Sequence, residues 1–429
     1  MRIFAVPMLI CALLITGCAH EMGKSGDGVA MVGPKQASGQ SDAGTPPPGV
    51  LPPGVYPASQ QALPTTAGTI YLTNIDGRID GLIAAGGGKP GNAGTPSLAE
   101  ALYHRFQILG RIDDADRALA LMERVEKPTA TDLRERASLR SGLHRFDEAL
   151  ADLAQAQAQS EPHEADAKAR RAIALATGDY AQIKDLIAQA EQPSPQFGEL
   201  ILRANIAAFK GDLAAASVQF LRAQQTINDT DPYPVAWMYA QQGLTLERFD
   251  QCQPAMVFFD AALERLPGFA LALDHQAECL LRMHRLDEAR KVYQQLITQT
   301  GNPEYLGGLA RVEKQAGHKQ LAHELETQTT TAYDALLARA PKAWSEHAAE
   351  YFLAVGQNEP ALRWARINLA NRRDVLSLIL AARAEQANGD RSRACQALGG
   401  VKASGLQPPE LDFWKDELPH CDAAVALNP

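Results

Sequence analysis

A beat of about 34 residues constrains this chain more than any other feature of its sequence. Nine times, a short polar or glycine-bearing turn is followed by a small or apolar residue early in a new helical stretch: Ala115, Ala149, Ile183, Ala216, Ala255, Ala289, Ala322, Ala361 and Ala394. The steps between them are 34, 34, 33, 39, 34, 33, 39 and 33 residues. Such regularity marks a stacked array in which each unit buries its apolar face against the next. The unit is clearest from Leu271 to Ile297, LALDHQAECLLRMHRLDEARKVYQQLI. Leu273, Ala277 and Leu280 recur at helical spacing in its first half, and Ala289, Val292, Tyr293 and Leu296 in its second. Ala277 and Ala289 let two helices approach closely, and Tyr293 is large enough to fill the gap to the next hairpin.

These residues resemble the tetratricopeptide repeat. The resemblance implies an all-α, right-handed superhelical solenoid of about nine degenerate helix hairpins with capping helices at its ends. Local signals agree with the register. Gly178-Asp179 and Gly211-Asp212 end one helix and cap the next. Leu153, Phe220, Phe259 and Tyr293 stand four residues after their anchors, and Pro162 and Pro267 close second helices. Most units lack the family's early aromatic and following glycine, with Gly243 the clearest exception. The two 39-residue steps predict a longer hairpin turn before Ala255 and an extended helix in ETQTTTAYDALLARAP before Ala361.

Composition supports the array. Apolar residues make up 46% of the chain but aromatics only 6%, and Ala and Leu, both strong helix formers, dominate the apolar share. No stretch reads as alternating strands. The formal charge of −9, spread along the chain, disfavours nucleic acid as a partner.

The N-terminus reads as an address. Arg2 precedes an apolar run from Ile3 to Ile15, too short to span a bilayer, and then comes Ile15-Thr16-Gly17-Cys18. This is similar to the lipobox of bacterial lipoproteins, and the similarity implies cleavage before an acylated Cys18. Ala19, rather than Asp, after the cysteine implies sorting to the outer membrane of a Gram-negative cell, facing the periplasm, with a cell-surface orientation left open. The expected organisation is a signal peptide over 1–17, the acylated cysteine and a Pro/Gly-rich tether over 18–67, a leading helix and flexible loop over 68–95, the solenoid over 96–408, and a capping helix and tail over 409–429. The tether is too polar to bury a core, and its coil length is roughly 40 Å.

Four cysteines remain after Cys11 and Cys18: Cys252, Cys279, Cys395 and Cys421, an even number that suits an oxidising compartment. In a stack of antiparallel helices, the start of one second helix lies beside the later part of the next first helix. That places Cys252 with Cys279, and a similar relation joins Cys395 with Cys421. Each loop would contribute about 3 kcal/mol in the chain-entropy picture.

Signals for chemistry are few. His318 and His323 are five apart with Glu324 beside them, which is no zinc-helix spacing. No phosphate loop or nucleophile elbow occurs, so no metal, cofactor, small-molecule substrate or catalytic residue is expected. The family resemblance implies a concave surface lined by first helices, where Asn205, Trp237, Asp274, Glu278, Arg282, Arg311 and Lys314 have spacings that can face a partner. Arg282, Arg311 and Lys314 suit a carboxylate, and Trp237 an apolar anchor. The family's clamp for chaperone tails is not implied, because Ile201, Gln241 and Leu271 occupy the matching places. The expectation is a protein-binding scaffold for assembly or secretion of an envelope complex. The alternatives are a pilotin-type factor for one pilus or secretin, a periplasmic enzyme or its non-catalytic subunit, and a structural spacer.

Overall fold

The computed structural model describes residues 64–414, apart from 90, 162, 193, 195, 228 and 229, together with Cys421. Cys18, the signal segment, nearly all of the tether and residues 415–419 lie outside the described residues.

All regular structure among the described residues is helical. α1 (Gly68–Ala84) leads into α2 (Thr95–Leu109), α3 (Ile112–Met122), α4 (Ala130–Gly142), α5 (Phe146–Gln159), α6 (Glu164–Thr177), α7 (Lys184–Ala188), α8 (Phe197–Phe209), α9 (Leu213–Thr226) and α10 (Pro232–Arg248). There follow α11 (Cys252–Arg265), α12 (Ala270–Arg282), α13 (Leu286–Thr300), α14 (Pro303–Gln315), α15 (Lys319–Arg339), α16 (Pro341–Ala354), α17 (Asn358–Asn371), α18 (Val375–Ala387) and α19 (Arg391–Ser404). From α2 onward these pair as consecutive hairpins, α2 with α3 through α18 with α19, except that the short α7 makes little contact with α6, and each second helix also packs on the first helix that follows it. The result is a tetratricopeptide-like all-α solenoid.

The register is written into the backbone. Gly110, His144, Gly178, Gly211, Asp250, His284, Gly317, Gly356 and Gly389 have positive φ, and each lies five residues before one of the nine anchors. A left-handed residue just past a helix end lets the next amide reach back to the last turn. Arg145, Asp179, Asp212, Gln251, Arg285, His318, Gln357 and Asp390 donate such bonds to the carbonyls five residues before them. Every anchor is then at most 3% exposed, because the returning helix presses that residue onto its partner. Gly243 serves the same contact in the fifth hairpin, where a Cβ would lie 2.6 Å from the Phe259 ring.

The structure departs from expectation in three places. The 39-residue step before Ala255 does not lengthen the hairpin turn; it makes α10 a 17-residue helix, against 13 in α12, and adds a residue to the linker before it. In the third hairpin the second helix shrinks to the five residues of α7. There the Gln182 and Ile183 amides donate to the Asp179 and Tyr180 carbonyls at 3.2 and 3.3 Å, three-residue turn bonds in place of helical ones. At the C-terminus Pro409–Trp414 forms a 3₁₀ segment, with Trp414 1% exposed against Ala394, Leu398 and the Cys395–Cys421 bridge. The extended helix before Ala361 is α15, with 21 residues.

The array also folds back on itself. Turns of the first four hairpins meet linkers of the last five. Gln299 donates to the Leu109 and Gly268 carbonyls at 2.8 and 2.7 Å, and Asn371 donates to the His144 carbonyl at 2.9 Å. The Arg373 amide donates to Thr177 at 2.9 Å, and the Gln407 amide to Phe209 at 2.8 Å. Arg248 and Glu410 form a paired contact at 2.6 and 3.0 Å. At the N-terminal side, the Thr66 amide donates to Thr230 at 2.8 Å, and the Tyr71 hydroxyl bridges His104 and Asp231. We refer to this edge-to-edge contact as the seam.

Candidate functional site

Burial differs between the two kinds of helix, and the difference locates the site. Second helices are buried along one stripe: α13 buries Ala289, Tyr293, Leu296 and Thr300, and α17 buries Ala361, Ala365 and Asn368. Several first helices are buried nearly all round. In α10 every residue from Pro232 to Glu247 except Pro234 is buried, in α16 every residue from Ala343 to Leu353, and in α18 every residue from Val375 to Glu385 except Arg383. A helix apolar on one stripe and polar elsewhere cannot be enclosed without satisfying its polar groups. The inner face solves this with a ladder of ion pairs running from hairpin to hairpin.

The ladder starts where His275 Nδ1 on α12 meets Glu247 on α10 at 2.7 Å. Burial opposes the charge on His275, but Glu247 outweighs it and raises the imidazole to about 9. Arg282 reaches the Glu247 carbonyl oxygen and Asp250, both at 3.0 Å. Glu278 on α12 accepts from Tyr293 at 2.5 Å and from Arg311 on α14 at 3.0 Å. Burial pushes the Glu278 carboxyl up, yet Arg311 and Tyr293 bring it below the ordinary value. His347 Nδ1 on α16 stands 3.2 Å from Glu304 on α14, and that carboxylate overcomes burial to raise it to about 9. Glu346 pairs with Arg372, which also lies 3.4 Å from Asp374.

The residues named from sequence fall into four groups. Glu278, Arg282 and Arg311 belong to the ladder: Glu278 pairs with Arg311, and Arg282 with the Glu247 carbonyl oxygen and Asp250. Arg282 and Arg311 therefore do not present free guanidinium groups to a carboxylate. Lys314 is exposed and lies 3.4 Å from Glu326. Asp274 is half-buried; burial, then Glu304, Glu278 and Glu247, hold its carboxyl well above the ordinary value against the pull of His275. Asn205 and Trp237 are 7% and 5% exposed, so Trp237 is a core residue rather than a projecting anchor.

Asn205 and Trp237 nevertheless mark a second feature. Asn205 Nδ2 on α8, Trp237 Nε1 on α10, and both polar atoms of Gln241 on α10 are buried without a hydrogen-bond partner in the protein. Buried amide groups are rarely left so, since each unmet donor or acceptor costs about 1–3 kcal/mol.

Sequence reading missed Gln241, His275 and His347, although a signal existed. Each stands 14 residues before its anchor, a place that Leu202 and Leu380 fill in other hairpins. All three are at most 2% exposed. A polar residue at a register position that most other units give to a small or apolar residue is the pattern that exposes them. The four disulfide cysteines pair as Cys252–Cys279 and Cys395–Cys421, separated by 27 and 26 residues.

No protein-family model matches this chain, and no curated protein matches it. Among solved structures it is similar to a human IFIT1 dimer with PPP-AAAA, at 14% identity over 71% of this chain and 81% of that one, with a TM-score of 0.41. It is also similar to a tetratricopeptide repeat protein from Parabacteroides merdae, at 12% identity over 69% of this chain and 98% of that one, with a TM-score of 0.34.

Proposed function

We propose that this solenoid is a non-catalytic protein-interaction scaffold whose inner face, around α8 and α10, receives a segment of a partner protein. The observation that carries the reading is the set of unmet groups on Asn205, Trp237 and Gln241. An amide-bearing side chain offers a donor and an acceptor together, which is what a peptide main chain also presents. A site whose buried polar groups lack partners within the protein discriminates strongly for a ligand able to pair them. The cellular setting we propose is the periplasmic face of the outer membrane, reached through a lipid on Cys18, with the partner in an envelope assembly or secretion complex. The two disulfides support an oxidising compartment.

The reading is tested by Gln241→Leu combined with Asn205→Ala. Removing unmet buried polar groups is expected to leave the fold as stable or stabilise it by about 1–2 kcal/mol. The same change is expected to abolish crosslinking to the envelope partner that wild type captures in intact cells. A variant that is folded, membrane-bound and still captures that partner places binding elsewhere.

A further inference from the structure

We infer that the turn between α4 and α5 is a pH-operated clasp on the seam, whose release opens the array and admits ligand to the inner face. The clasp stands on geometry at His144, and its consequence for ligand access rests on the reading of the inner face just given.

Among the nine hairpin turns, six place glycine at the left-handed residue; His144 is one of three with a side chain there, at φ 56°. A side chain disfavours that backbone, so glycine is the default. The other two have simple settings: His284 is exposed, and Asp250 pairs with Arg282 at 3.0 Å. His144 is instead 2% exposed, with its ring stacked on Phe146 at 5.5 Å between centroids. Its turn is docked on the far end of the chain. Asn371 donates to its carbonyl, the next turn receives the Arg373 amide at Thr177, and the Val375 amide donates to the Tyr180 hydroxyl at 2.9 Å.

The charged groups around the ring decide its response to protons. Arg372, between α17 and α18, and His347 on α16 oppose a charge on it, and Lys342 contributes a backbone hydrogen bond. The nearby carboxylates are committed elsewhere: Glu346 to Arg372, and Asp374 to Arg372 and Ser377. Nδ1 of His144 is buried without a partner. A neutral ring therefore fits, with one nitrogen bonded and the other carrying only a lone pair. A second proton would create a buried N–H with no acceptor and a third positive charge beside two others.

Burial first, then Arg372 and His347, hold the His144 imidazole well below its ordinary value of 6.5. Because the closed state depresses this group and the open state restores it, closure is fully supported above about pH 6.5. It then weakens by up to about tenfold per pH unit below that.

Hydrogen exchange on the full chain without ligand, corrected for intrinsic rates, reads this directly. From about pH 7.5 to about pH 5, amides of residues 142–146, 177–180 and 373–376 are expected to lose protection with that slope, while residues 288–294 in the first half of α13, away from the Gln299 end that meets the seam, keep theirs. His144→Asn tolerates the left-handed turn and cannot take up the proton, so its seam protection is expected to stay flat. Asn371→Ala is expected to lower seam protection at every pH without changing the slope. Wild-type seam protection that does not change with pH, that falls only together with residues 288–294 of α13, or that falls equally in His144→Asn overturns the clasp. Any of these leaves the inner-face reading standing, since that reading is tested by partner capture at constant pH.

Discussion

Glu278 on α12 and Arg311 on α14 join two successive first helices through a buried ion pair, closed by a 3.0 Å bond and supported from behind by the Tyr293 hydroxyl at 2.5 Å. The pair ties one hairpin to the next at the inner face, where the Glu278 carboxylate reaches little water and the Arg311 side chain is 24% exposed. Removing one member leaves the other charge stranded. Arg311→Ala is expected to destabilise the protein by about 3–5 kcal/mol, whereas replacing both with leucine recovers most of that loss. Urea denaturation of the single and double variants checks it; equal loss in both would assign the effect to packing rather than to a stranded carboxylate.

The two ladder histidines give the protein an alkaline limit. His275 and His347 are raised to about 9 from an ordinary 6.5. A raised imidazole contributes stability fully present below about pH 6.5, declining above it and lost as pH rises through about 9. The shift corresponds to at most about 3 kcal/mol for each. Unfolding free energy is therefore expected to fall between about pH 7 and pH 9.5, and His347→Gln to flatten part of that decline. A curve in which the variant keeps the wild-type slope would remove His347 from the account.

How far these features were legible in the sequence depends on which interaction set them. The nine anchors were readable because each repeats one local event, a left-handed cap followed by a small residue that must pack close, and local events leave a period. The disulfides were readable because antiparallel packing fixes which helix ends meet. The ladder was only half readable. Arg282 and Arg311 announce charge, but not that Glu247 and Glu278 stand opposite them, because partners about 33 to 35 residues away depend on the stacking offset. The seam was not readable at all. Asn371 and His144 are 227 residues apart, and their contact follows from the accumulated rotation of the whole array.

Glycine at the seam can be separated from glycine in an ordinary turn. Gly178 has φ +78°, and a Cβ there would lie 2.4 Å from the Arg373 carbonyl oxygen. Gly356 has φ +75° with nothing within 4 Å of the same position. Alanine at Gly356 meets only the left-handed backbone penalty, about 1 kcal/mol. Alanine at Gly178 meets that penalty and also forces the α17–α18 linker away. Gly178→Ala is expected to cost more in denaturation and to expose residues 373–376 to hydrogen exchange, while Gly356→Ala leaves those amides protected. Equal exchange in the two variants would mean that the linker yields without opening the seam.

The two disulfides should differ in what they protect. Cys252 begins α11 and Cys279 lies in α12, so their bridge closes a 27-residue separation inside the array, next to His275 and Glu278. Cys395 and Cys421 fasten the terminal segment over the last hairpin, with Trp414 beneath it. Both constrain the unfolded chain by a similar amount, about 3 kcal/mol. In a solenoid, however, loss at an end frays only the last unit, whereas loss in the middle weakens interfaces on both sides. Cys252→Ser with Cys279→Ser is therefore expected to lower the main denaturation midpoint, and Cys395→Ser with Cys421→Ser to leave it nearly fixed while residues 391–404 exchange faster. Hydrogen exchange run beside urea titration distinguishes the two; a lowered main midpoint in the terminal variant would show that the end hairpin unfolds together with the rest.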